Sequence, residues 1–101
     1  MDAQRQVAAF VDRYDIDAPP AYRLLDLTSE LGELAKDANT STGYGDDPDA
    51  LALSEDELGD ALFALLALAE SVGVDADDAL GSALAKYEAR LDETGDAGSG
   101  E

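Results

Sequence analysis

Residues 57–68, Glu57-Leu58-Gly59-Asp60-Ala61-Leu62-Phe63-Ala64-Leu65-Leu66-Ala67-Leu68, set two carboxylates at the mouth of an apolar run. No polar side chain occurs from Ala61 to Ala69. A helix of that content is apolar nearly all round and has to be covered on more than one side. The chain has 101 residues, enough for one domain and close to the lower limit for a core that holds unaided. Three further helices in so short a chain give this one incomplete cover. The sequence therefore predicts an all-α fold, a four-to-five-helix bundle packed as a homo-oligomer, either a homodimer or a dimer of dimers.

Working outward, Ser54-Glu55-Asp56-Glu57 fits a capping box, with Ser54 as N-cap and Glu57 at the third helical position, and Gly73 marks the end of this helix. Upstream, Val7, Ala8, Phe10, Val11 and Tyr14 recur at helical spacing, and Pro19-Pro20 ends one helix and begins the next. That second helix is predicted over about 20–38, with Leu24, Leu27, Leu31, Leu34 and Ala35 on its buried side. Residues 39–53, rich in Gly, Ser, Thr and Asp, read as a connecting loop with room for one short helical turn. Downstream, Asp75 caps a fourth helix whose Ala76, Leu80, Ala83, Leu84, Tyr87 and Leu91 form one stripe. The helical domain is expected over 1–93, and 94–101 as a disordered acidic, Gly-rich tail.

Composition narrows the chemistry. The chain has no Cys and no His, which excludes disulfides, thiolate and imidazole metal ligands and the commonest general base. Its net charge of −18 comes from 24 acidic and 6 basic residues, so direct binding of a nucleic-acid polymer or an anionic membrane is not expected. A nucleotide would need a cation between itself and the protein. The acids run along the whole chain, as on proteins from organisms that keep molar salt in the cytoplasm. At about 1 M salt the Debye length falls to ~3 Å and self-repulsion is screened. With neither an apolar span long enough for a membrane nor a leader pattern, a cytoplasmic location is expected.

Acids three residues apart are common here, but most such pairs fall at helix ends or in loops. Glu30/Glu33 and Glu57/Asp60 instead lie inside helices with apolar flanks, in the matching words Glu30-Leu-Gly-Glu33 and Glu57-Leu-Gly-Asp60. Residues three apart share a helix face, so each pair aims two carboxylates the same way, and a cation should offset their repulsion. Gly32 and Gly59, each costing roughly 1 kcal/mol against Ala in a helix, point to close helix contact on the opposite face. If the second and third helices run antiparallel, the four carboxylates converge on a hard oxygen site that favours Mg²⁺ or Mn²⁺. Such an ion binds phosphate oxygens too, which makes a polyphosphate the natural ligand. Glu57 is equally placed to close its own capping box. Lys86 and Arg90, four apart on the fourth helix, share a face suited to a phosphate clamp or to ordinary ion pairs. Lys36 reads as a surface partner of Glu33.

Leu27-Thr-Ser-Glu30-Leu-Gly-Glu33-Leu34, Glu57-Leu-Gly-Asp60-Ala-Leu-Phe63 and Lys86-Tyr87-Glu-Ala-Arg90 together resemble the MazG-like nucleotide pyrophosphohydrolases, over roughly residues 22–92. The resemblance implies an all-α oligomer of the MazG-like type. It also implies Mg²⁺-dependent cleavage of a nucleoside triphosphate to monophosphate and pyrophosphate. Carried over, Glu30, Glu33, Glu57 and Asp60 would be metal ligands, Glu30 or Glu33 would also serve as catalytic base, and Lys86 and Arg90 would lie near the phosphates. Ser29 and Leu84 depart from the pattern, standing where many members carry Glu and Asn. Two other readings share the acidic helices: a phosphoribosyl-ATP pyrophosphohydrolase, whose aromatic-His pair is replaced here by Phe63-Ala64, and a non-catalytic helical dimerisation or regulatory module.

Overall fold

The computed structural model describes residues 2–95, and all regular structure among them is helical. The elements are α1 (Asp2–Arg13), α2 (Pro20–Ser41), a single 3-10 turn at Pro48–Ala50, α3 (Glu55–Ser71) and α4 (Ala76–Thr94). The all-α expectation holds, as do Pro20 in the first turn of α2 and the short turn within the loop. The tail expectation falls, from residue 96 onward, outside the described residues. Among the described residues no helix is long and apolar enough to cross a membrane.

Helix ends follow local chemistry. Ser54 Oγ accepts from Glu57 N at 3.3 Å and Asp75 Oδ1 from Asp78 N at 3.0 Å, each satisfying one N-terminal donor of its helix. Gly73 (φ +71°) and Gly95 (φ +74°) take the left-handed conformation just past α3 and α4, where a side chain would be strained. α2 runs three residues beyond its predicted end. Ser41 and Thr42 hydroxyls donate to the carbonyls of Asp37 and Ala38, and Ser41 Oγ also accepts from Ala52 N at 3.0 Å, so the returning loop stabilises the last turn.

α2 and α3 are antiparallel neighbours. Ser54 lies beside Asp37, Glu57 near Glu33, Asp60 across one cavity from Glu30, and Ala67 across another from Arg23. As numbers fall along α2 they rise along α3. Ala61, Ala64 and Ala67 are buried on α3, and their small side chains allow the approach. α1 packs on α3 through a core of Val7, Leu66 and Ala67, joined by Ala3, Val11, Phe63 and Ala76. Buried Gln4 fixes the far end: its Nε2 donates to Val74 O at 2.8 Å and Glu70 Oε1 at 3.1 Å, and its Oε1 accepts from Ala76 N at 2.7 Å.

α4 has no buried residue. Its stripe of Leu80, Leu84 and Leu91 is about half exposed, as are Leu58, Leu62 and Leu65 on α3. Between the two helices lies an apolar groove of about 510 Å³ lined by Leu62, Leu65, Leu68, Val72 and Leu80 among others. The radius of gyration is 16.3 Å, against about 13 Å for a compact domain of this length. One chain therefore leaves its apolar helix partly uncovered.

Candidate functional site

The acids cluster along the α2/α3 seam. On α2, Arg23, Asp26, Glu30, Glu33 and Asp37 follow at intervals of three, four, three and four residues, which places them on one face. Opposite them, Glu57 and Asp60 project from the first turns of α3. Glu30 and Asp60 line a cavity of about 300 Å³ with Arg23, Asp26, Phe63 and Ala64. One turn further along the seam, Glu57 meets Glu33 and Asp37. The four predicted residues thus lie in two adjacent groups. With the side chains as they stand, no three carboxylates among the described residues converge on a common metal position.

Glu57 occupies the most perturbed position. Asp37 shares a proton with its carboxyl, burial disfavours its charge, and the charges of Asp37, Glu33 and Asp56 add to the effect, so that it is pushed up to about 7. Its Oε2 is buried without a hydrogen-bond partner. In a full capping box this carboxylate would accept from Ser54 N, but Asp37 Oδ2 takes that donor instead, at 3.4 Å. Half of the predicted box is present, and the Glu57 carboxyl is left outside it. An oxygen-only donor set containing an orphaned buried carboxylate oxygen fits a hard divalent cation.

Sequence reasoning missed Asp37, although its place four residues after Glu33 puts it on the acid face. Lys36 makes no ion pair with Glu33: the ion pair found among described residues is Arg5–Asp2, at 3.6 Å. Arg23 was also missed. It is buried, and its Nη2 donates to Ile16 O at 2.5 Å.

The expectation for the glycines meets a different outcome. A Cβ built on Gly32 or Gly59 meets nothing within 4 Å, so within the chain neither glycine is a point of close helix contact. Gly59 lines an open groove with Ala3, Gln6, Val7 and Phe10 of α1. Lys86 and Arg90 do share a face, flanking the Tyr87 ring with Nζ at 5.0 Å and Cζ at 5.8 Å from its centroid. Neither lines the cavity of Glu30 and Asp60, where the cation is Arg23.

The sequence profile of the MazG nucleotide pyrophosphohydrolase domain matches residues 20–94, the segment that builds the α2/α3 seam and adds α4. The chain belongs to the MazG family. This MazG chain is similar to an uncharacterized protein, YpjD, of Bacillus subtilis (strain 168), at 33% identity over 95 residues, covering 85% of this chain and 84% of that protein. No solved structure matches it significantly. As a MazG domain it falls among hydrolases that act on nucleotides, and α1 lies ahead of the matched segment.

Proposed function

We propose that this protein is a Mg²⁺- or Mn²⁺-dependent nucleoside triphosphate pyrophosphohydrolase that releases nucleoside monophosphate and pyrophosphate. The observation that carries this reading is the antiparallel register, which sets Glu30 against Asp60 and Glu33 against Glu57. These four residues would hold the metal, which supplies charge neutralisation of the triphosphate and a bound water of lowered pKa. Glu30 or Glu33 takes the proton of the attacking water. Phe63 and Ala64 form the apolar wall behind Glu30 and Asp60 and keep bulk water from one side of the cavity. Lys86 and Arg90 act as phosphate-facing cations delivered from α4.

The same reading includes a homodimer or a dimer of dimers. Leu62, Leu65, Leu80, Leu84 and Leu91 each keep about half of their side chain exposed, and covering each would gain roughly 1 kcal/mol. A second copy supplies that cover and could carry α4 toward a neighbouring seam. The −18 charge suits a salt-rich cytoplasm, where screening relieves it.

The test is pyrophosphate release from a panel of ribo- and deoxyribonucleoside triphosphates at high KCl, with and without Mg²⁺. Release confined to the Mg²⁺ samples, and lost in Glu57→Gln and Asp60→Asn, is expected. Full activity in those variants would overturn the site, and release from none of the substrates would favour a non-catalytic dimerisation module.

A further inference from the structure

We infer that Arg23 is a substrate-binding residue: its guanidinium takes phosphate oxygens of the metal-bound triphosphate, at the end of the seam away from Asp37. This rests on the proposed pyrophosphohydrolase reading and extends it to a residue outside the motifs.

Three observations carry it. First, Arg23 is 8% exposed, yet it makes no ion pair within 4.0 Å with Asp26, Glu30 or Asp60 on one side, or with Asp12, Asp17 or Glu70 on the other. It lines both cavities that hold those acids. A buried guanidinium is costly unless its donors are engaged. Second, of its five N–H donors, the hydrogen bond found is that of Nη2 to Ile16 O. No Arg23 nitrogen is a sealed, unsatisfied atom, so the donors without a partner remain open to accessible space. Third, it is the cation lining the Glu30/Asp60 cavity, whereas Lys86 and Arg90 are on α4.

The acids around Arg23 repel a free anion, so the anion it can accept must arrive already neutralised by metal. A metal-complexed polyphosphate meets that condition, and the planar fork of Arg matches two phosphate oxygens at once. The bond to Ile16 O anchors the guanidinium through one nitrogen, at a residue that borders the cavity of Glu30 and Asp60.

The test separates substrate contact from support of the fold. Arg23→Gln and Arg23→Lys are titrated with Mn²⁺ alone, then with a panel of α,β-imido nucleoside triphosphates carrying the common bases in saturating Mn²⁺, alongside the wild-type chain. Both variants should keep Mn²⁺ affinity within about twofold. Losing a charge-assisted, bidentate contact should weaken the analogue by about 10- to 100-fold in Arg23→Gln, with Arg23→Lys between it and wild type. If Arg23→Gln does not fold, Arg23→Lys decides by the same criterion. Analogue affinity equal to wild type would overturn the role of Arg23 alone, as would a parallel loss of Mn²⁺ and analogue binding. A wild-type chain that binds Mn²⁺ but no analogue would overturn the pyrophosphohydrolase reading and this inference with it.

Discussion

Replacing Asp37 by Asn should change how the acid seam competes for protons and metal. In the metal-free protein Glu57 is pushed up to about 7, chiefly by the proton it shares with Asp37, then by burial and by the charges of Asp37, Glu33 and Asp56. A carboxyl with that pKa is about 90% protonated at pH 6 and about 10% protonated at pH 8. A cation bound by Glu57 must displace that proton. Mn²⁺ should therefore release about 0.9 proton at pH 6, and its apparent affinity should be about tenfold weaker there than at pH 8. The amide introduced by Asp37→Asn would keep a carbonyl oxygen for Ser54 N but remove the shared proton and one charge. Glu57 should then return toward the ordinary carboxylate range, and the pH dependence should flatten. Titration calorimetry at high KCl, in two buffers of different ionisation enthalpy, counts the protons directly. Equal proton release and equal pH dependence in wild type and Asp37→Asn would refute the coupling. Metal-free stability gives the matching sign. The folded pKa lies above the unfolded value of 4.5, so the contribution of Glu57 is fully present below that value and is lost as pH rises through about 7. The melting temperature of the metal-free chain should fall across this window, and Mg²⁺ should reverse the fall.

Three further outcomes follow from the same geometry. Gly32→Ala with Gly59→Ala places two methyl groups in open space within the chain, so helix propensity alone should add about 0.5–1 kcal/mol each. Calorimetry should show the melting temperature rising by about 4–8 °C per kcal/mol, and a fall would mean that a second copy presses on α2 or α3 at one of these glycines. Leu62→Glu or Leu80→Glu puts a charge on the α3/α4 groove and should shift the light-scattering mass toward a single chain; an unchanged mass would move the interface elsewhere. Ser54→Ala removes the acceptor for Glu57 N and should cost about 1 kcal/mol by chemical denaturation. Mn²⁺ affinity should barely change, because Asp37 still holds Ser54 N; a tenfold loss would show that the Ser54 side chain positions Glu57.

The helices, their caps and their order were legible because each rests on local chemistry. Pro19-Pro20, Ser54, Asp75 and Gly73 act on backbone groups within a turn of themselves. The pairs Glu30/Glu33 and Glu57/Asp60 could be picked out because their apolar flanks placed them inside helices, unlike Asp46/Asp49 in the loop. The role of Glu57 was not legible. Both tasks open to it depend on which group takes Ser54 N, and that group is Asp37, seventeen residues away in sequence. Arg23 was hidden for a related reason: it belongs to no motif, and its burial comes from α1, the α1–α2 loop and α3 closing around it.

The sequence by itself determined that this chain is all-helical, that it has neither Cys nor His to offer, and which two helices carry the paired acids, because helix periodicity and side-chain inventory are local properties. Tertiary structure alone decided the rest. The antiparallel register divided four acids into two neighbouring groups, recruited Asp37 and Arg23 to them, and left Gly32, Gly59 and the α4 stripe uncovered. Those outcomes depend on how far one helix slides along another, a quantity set by the alanines of α3 and the loop tie at Ser41 and Ser54 rather than by any single stretch of residues.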